Sequence, residues 1–222
     1  ITPEEIALAI LADIVRELKK LQDDVAPFPV EEARAQIEAS LGAPVDQLFD
    51  SFEDEPLACA SMAQVHRARL RDGDAVVDVA VKIQRPGIIA KVAADLHLLH
   101  RLARMVESAV PESRVYSPVG LVREFDRAIN AELDFTVESL NAGRFARSFE
   151  QDAAITFPRV FERVTGRHVL TLEFLDGLKV NEAVLERGAD GVWIAETSVR
   201  LLLKMVFEDG FFHADPHPGN VL

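Results

Sequence analysis

Near the C-terminal end of this 222-residue sequence, "HADPHPGN" (His213 to Asn220) sets an acid and an amide five positions apart, Asp215 and Asn220. Phosphoryl transfer needs such a pair: a carboxylate that orients the attacking group, and an amide oxygen that helps hold a metal ion on the phosphates. Alone the spacing is common, and a polar turn is its plain alternative. Pro216, Pro218 and Gly219 weigh against a mere turn, because they fix the backbone between the two groups. His213, Asp215 and His217 alternate as metal ligands on one strand face would. The two prolines disfavour a strand there, and no third nitrogen or sulfur ligand stands nearby, so this reading ranks lower.

Three further stretches carry reactive side chains. Lys82 sits in "VAVKIQ", where an ammonium inside an apolar strand must either reach solvent or meet phosphate and carboxylate. Val79, Val81 and Ile83 alternate with Ala80 and Lys82, so the pattern leaves open which face is buried. "ACAS", Ala58 to Ser61, offers small side chains that let backbone amides approach a ligand, with less freedom than glycines would give. In "AELDFTVESLN", Asp134, Glu138 and Asn141 recur at helical spacing beside the apolar stripe Leu133, Val137 and Leu140, with Glu132 on its other flank. A solvated acidic face and a set of carboxylates aimed at a lysine or metal both fit that stripe.

Positioning these groups requires an α+β framework. Thr2, Pro3 and Glu5 open a helix with apolar residues at Ile6, Ile10, Ile14, Leu18 and Leu21. Helices are predicted over about 29–41, stopped at Gly42, and over about 45–52. "SMAQVHRARL", "RDGD" and "AVVDVAVKIQ" read as a β-hairpin. One long helix follows from about 88 to 110, and another from 117 to at least 141. "TFPRVFERV" and "HVLTLEFL" suggest a second strand pair, with a hinge near Asp176-Gly177. Helices over about 181–187 and 192–209 complete the chain, Gly210 closing the last.

Bulk properties narrow the classes. The hydrophobic fraction of 49% and charged fraction of 27% fit a globular protein with a core. A net charge of −13 gives nucleic acid no electrostatic foothold. The single cysteine, Cys59, excludes an internal disulfide framework and suits a reducing compartment. No apolar run reaches membrane-spanning length, since Asp13 interrupts "IALAILADIV". The sequence starts at Ile1 without Met or a cleavable signal and stops at Leu222, so a fragment of something longer is expected.

Taken together, "KLQDDVAPFP", "PLACASMAQVHRARL", "VAVKIQRPGI", "ELDFTVESLNAGRF", "LTLEFLDG" and "VFEDGFFHADPHPGN" resemble the UbiB family of atypical, protein-kinase-like ATPases linked to coenzyme Q biosynthesis. The resemblance implies a two-lobe kinase-like fold: an N-terminal helical extension over 1–55, an N-lobe with inserted helices over 56–177, and a truncated C-terminal lobe over 178–222. It also implies ATP or ADP with Mg2+. By this resemblance Ala58, Cys59, Ala60 and Ser61 look like the alanine-rich nucleotide loop, and Lys82 like the phosphate-contacting lysine. Glu132 and Asp134 match an E-x-D motif, and Glu138 is a further partner for Lys82. Asp215 matches the catalytic aspartate and Asn220 the metal-binding asparagine. The family's K-x-G-Q and D-F-G motifs are absent from these 222 residues, which leaves the fragment itself without expected turnover. The implied role is support of ubiquinone-type isoprenoid quinone synthesis, in the cytoplasm and peripheral to the inner membrane, with lipid or quinone-biosynthesis proteins as partners. Two other functions compete: a small-molecule phosphotransferase of the aminoglycoside or choline kinase type, and a non-catalytic nucleotide-sensing or lipid-presenting scaffold.

Overall fold

The computed structural model describes residues 25–212; the helix expected over 3–21 lies outside them. Helix α1 (Val30–Leu41) and the single turn α2 (Val45–Leu48) lead into four antiparallel strands in the order β1 (Ser51–Cys59), β2 (Ala63–Asp72), β3 (Ala75–Gln84), β4 (Val169–Glu173). Between β3 and β4 run α3 (Ile88–Ala109), α4 (Pro118–Glu132) and α5 (Phe135–Ser148). Helices α6 (Val180–Arg187) and α7 (Gly191–Leu203) follow, with one π-helical stretch over Lys204–Glu208. This is the expected α+β arrangement. Among the described residues no helix is long and apolar enough to cross a membrane.

Pairing of β2 with β3 places Ala68 opposite Val79, His66 opposite Val81 and Gln64 opposite Ile83. Side chains at alternate positions share a face, so these residues line one side of the sheet together with Val169 and Thr171 of β4. Ala33 and Ile37 of α1 are fully buried against this side, joined by Phe28, Val45, Phe49, Phe161 and Val164. The core therefore sits between the sheet and the helices that precede it in sequence. The boundary expected at 55/56 falls inside β1. The tight β2–β3 turn depends on Gly73, whose φ of 63° a side-chain-bearing residue adopts only with strain.

Three expectations are corrected. Residues 49–52 are not helical: Phe49 is already extended and β1 starts at Ser51. The acidic run Glu53-Asp54-Glu55 and Pro56 hid this strand, and both suit an edge, where pairing is one-sided and β1 carries bulges around Pro56. "TFPRVFERV" contributes no full strand; Val160 bridges Leu172 at the sheet margin, and β4 pairs with β3 instead of a hairpin mate. The helix expected from 117 onward breaks at Leu133-Asp134.

A polar island lies within the apolar face. His66 and Gln64 are 0% and 1% exposed. His66 Nδ1 donates to the Glu53 carbonyl at 2.8 Å, and its Nε2 accepts from Gln64 Nε2 at 2.8 Å. Gln64 also accepts from the Phe28 amide at 3.1 Å and donates to the Phe28 carbonyl at 3.3 Å. The ring has a complete set of partners as the neutral tautomer only, and a protonated Nε2 would face an amide donor. Burial pushes the His66 imidazole below its ordinary value of 6.5, against the pull of the Glu53 carbonyl. The unfolded chain therefore takes up the proton first as pH falls. The contribution to stability is complete above 6.5 and is lost as pH falls from there through the lowered folded value. Urea midpoints measured downward from pH 6.5 should decline in the wild type, and His66→Met should remove that component of the slope. Gln64→Leu, which strands the Phe28 amide and carbonyl and His66 Nε2, should cost about 2–3 kcal/mol.

Candidate functional site

The face of the sheet opposite α1 carries Lys82. Across the strands Ala58, Val65, Lys82 and Leu170 stand in one row, each opposite the next. At about 4.8 Å between strands, Ala58 is two strands, roughly 10 Å, from Lys82 on the same face. Cys59 pairs with Gln64 and thus belongs to the opposite face. Ala60 and Ser61 form the exposed β1–β2 turn, closed by the Ala60 amide donating to the Ala63 carbonyl at 2.7 Å. Of the alanine-rich segment, Ala58 therefore shares the open face with Lys82, two strands away, and Ala60 and Ser61 lie in the turn beyond it.

Helix α5 supplies the carboxylate. Lys82 Nζ donates to both Glu138 oxygens, at 2.9 and 2.6 Å. It also lies 4.8 Å from the centroid of the Phe135 ring, which is buried with Ala63 and Leu170. The ammonium is thus desolvated on its apolar side, compensated by a carboxylate and a ring face, and still reaches the surface: its side chain is 32% exposed. An anion arriving from solvent would find it accessible.

Two residues away on the same pleat, Gln84 is 1% exposed and donates to the Leu133 carbonyl at 2.7 Å. That bond takes up a carbonyl at the end of α4. Asp134 starts the next helix: its carboxylate accepts from the Thr136 amide at 3.1 Å and the Thr136 hydroxyl at 2.6 Å, as an N-cap does. The break between α4 and α5 turns Glu138 onto Lys82.

Of the three acids singled out in the sequence, Glu138 alone pairs with Lys82. Asp134 is engaged as the cap and pairs with Arg167 at 3.3 Å. The Thr136 hydroxyl above all, then its amide, Arg167 and His168, hold the Asp134 carboxyl below its ordinary value. Glu132 ends α4 and is exposed. The continuous stripe expected through Asp134, Glu138 and Asn141 is therefore divided, with Asp134 outside the helix. Asp215, Asn220, His213 and His217 lie outside the described residues. The sequence reading missed Gln84 and Phe135. Gln84 was detectable, since it shares the period-2 phase of Lys82 in "VAVKIQ"; Phe135 read only as one more apolar residue. Among the described residues no group of three His, Cys, Asp or Glu is placed to hold a metal ion.

A family model described as the ABC1 atypical kinase-like domain matches residues 20–222. Relatives named "Probable protein kinase UbiB" are 41% identical over 210 residues in Vibrio parahaemolyticus and 42% identical over 211 residues in Aeromonas hydrophila. Each match takes in 94% of this chain and 38% of the relative, so the chain spans little more than a third of their length. The solved structure of a complex of Rv3197 with erythromycin, from Mycobacterium tuberculosis, is similar at a TM-score of 0.74 and 29% identity, covering 87% of this chain and 48% of that one.

The two anchors on β3 should differ in their weight for stability. Lys82 and Glu138 are 32% and 42% exposed, so a double-mutant cycle with Lys82→Met and Glu138→Leu should give a coupling of about 1 kcal/mol, weakened by salt. Gln84→Met leaves a buried carbonyl without its donor and should cost about 2 kcal/mol, independent of salt. Urea denaturation at low and high ionic strength checks both.

Proposed function

This chain belongs to the ABC1 (UbiB-type) family of atypical kinase-like domains, and we propose that its open sheet face binds the phosphates of ATP or ADP. The observation that carries the reading is the two-pronged Lys82–Glu138 pair, a strand lysine locked by a helix carboxylate in reach of solvent. Kinase-type phosphoryl transfer needs such a pair, because the reaction is catalysed chiefly by positioning and by charge neutralisation. Glu138 fixes the direction of the ammonium, and Lys82 meets the phosphates. The Ala58 to Ser61 segment, at the end of β1 two strands away, would border the phosphates on that side. Glu132 and Asp134 lie at the α4–α5 break that turns Glu138 onto Lys82.

Mg2+ would supply charge neutralisation on the phosphates. Asn220 would help hold it, with Asp215 orienting the attacking group. The whole activity we infer is an ATPase or phosphotransferase that supports ubiquinone-type quinone synthesis, working peripherally at a membrane surface. The family model and the relatives' name, "Probable protein kinase UbiB", support the kinase-like part of this reading.

The test is nucleotide binding and turnover by the full-length gene product. Lys82→Ala should weaken Mg-ADP binding by about tenfold or more, the loss of one charged phosphate contact. Asp215→Asn should leave ADP affinity within about twofold and lower phosphate release by about a hundredfold or more. Unchanged ADP affinity in Lys82→Ala would overturn the assignment of the site. Binding with no turnover in the wild type would favour a nucleotide-sensing scaffold.

A further inference from the structure

Residues Ala26 to Phe28 precede α1 as an extended strap that has no place in the sheet. Side chains of the sheet hold it. Gln64 grips both the amide and the carbonyl of Phe28. At the end of β3, Arg85 Nη2 donates to the Ala26 carbonyl at 3.0 Å and reaches the Ala60 carbonyl at 3.5 Å. The guanidinium lies 5.2 Å from the centroid of the Phe28 ring. Its own amide donates to the Met62 carbonyl at 2.8 Å. Arg85 thus touches the alanine-rich turn at two points, Ala60 and Met62, and the strap at two more, Ala26 and Phe28. Its Nε–H is buried without an acceptor, a cost that a simple surface tether would avoid.

We propose that Arg85 is a positioning residue which ties the strap to the alanine-rich turn, so that the two move together. Met62 and Ala60 bracket the turn, and the guanidinium links the turn to chain that arrives from the N-terminal side. Among the described residues, the Arg85 guanidinium hydrogen-bonds both to the strap and to this turn. A displacement of the strap therefore pulls on the turn directly, and the turn cannot shift without straining the Ala26 bond. Resting on the nucleotide reading of this face, the consequence is that phosphate held by the turn restrains the strap, and a strap that is pulled away loosens the phosphate.

Hydrogen exchange of the full-length gene product, with and without Mg-ADP, tests this. In nucleotide-free protein Arg85→Met, which removes the guanidinium and keeps the backbone bond to Met62, should speed exchange at Ala60 to Met62 by about threefold to tenfold. Amides of Val79 to Ile83 should keep their rates. Pro27→Gly, which frees the strap without touching Arg85, should speed the same turn amides severalfold, since coupling is reciprocal. Mg-ADP should slow exchange at both segments in the wild type, and at the turn alone in Arg85→Met. Turn rates within twofold of wild type in either variant would overturn the proposal. So would a uniform rise that includes Val79 to Ile83, because Arg85 would then support only global stability. Failure of the wild type to bind ADP would sink the nucleotide reading, while the nucleotide-free rates would still decide the coupling.

Discussion

A cation on a mostly apolar strand is the constraint around which this molecule is arranged. Lys82 lies between rows of buried aliphatic residues, and its ammonium is tolerable only with a carboxylate at hydrogen-bonding distance and a route to water. Glu138 supplies the first, and the uncovered side of the sheet supplies the second. The first condition dictates where α5 must sit. That in turn requires the chain to stop one helix and start another at Leu133-Asp134, since a straight continuation of α4 would carry Glu138 along a different line. Gln84 and Asp134 satisfy the backbone at that joint from its two sides. The opposite face has the complementary task. It is packed by α1 and the following loop, so that the lysine side can stay open.

Much of this was legible in the amino-acid order because local rules and tertiary packing agree. The alternation in "SMAQVHRARL" and "AVVDVAVKIQ" with Gly73 between them specifies β2, β3 and their turn. The helix signals at Pro29 and Gly42 bound α1 within a residue or so. Agreement failed in three places for identifiable reasons. Strand β1 is an edge whose acids and proline serve its solvent side, so its composition describes the edge and not the strand. The α4–α5 joint lies inside an unbroken helical pattern, and Asp134 read as one of three like acids where it is the cap. Arg85 acts through backbone carbonyls of residues 25 and 59 positions away, and carbonyls leave no trace in a sequence.

The site was legible to the same degree. The period-2 pattern put Lys82 and Gln84 on one pleat but did not say which face was covered. That required knowing where Ala33 and Ile37 would go. Once α1 occupies the Val79, Val81 and Ile83 side, the other face has to bear the chemistry.

The cross-strand row from Ala58 to Leu170 also limits how a lineage carrying this fold can change its length. Residues added at the Gly73 turn lengthen an exposed loop and leave both faces of the sheet as they are. One residue added between that turn and Lys82 would carry Lys82 and Gln84 together to the packed side, setting an ammonium against α1 and Val79 or Val81 toward solvent. Only a β-bulge between the turn and Lys82 could absorb the extra residue and restore the phase. The Gly73 turn can therefore take up added residues freely, whereas Val77 to Gln84 places Lys82 by its phase and not merely by its composition.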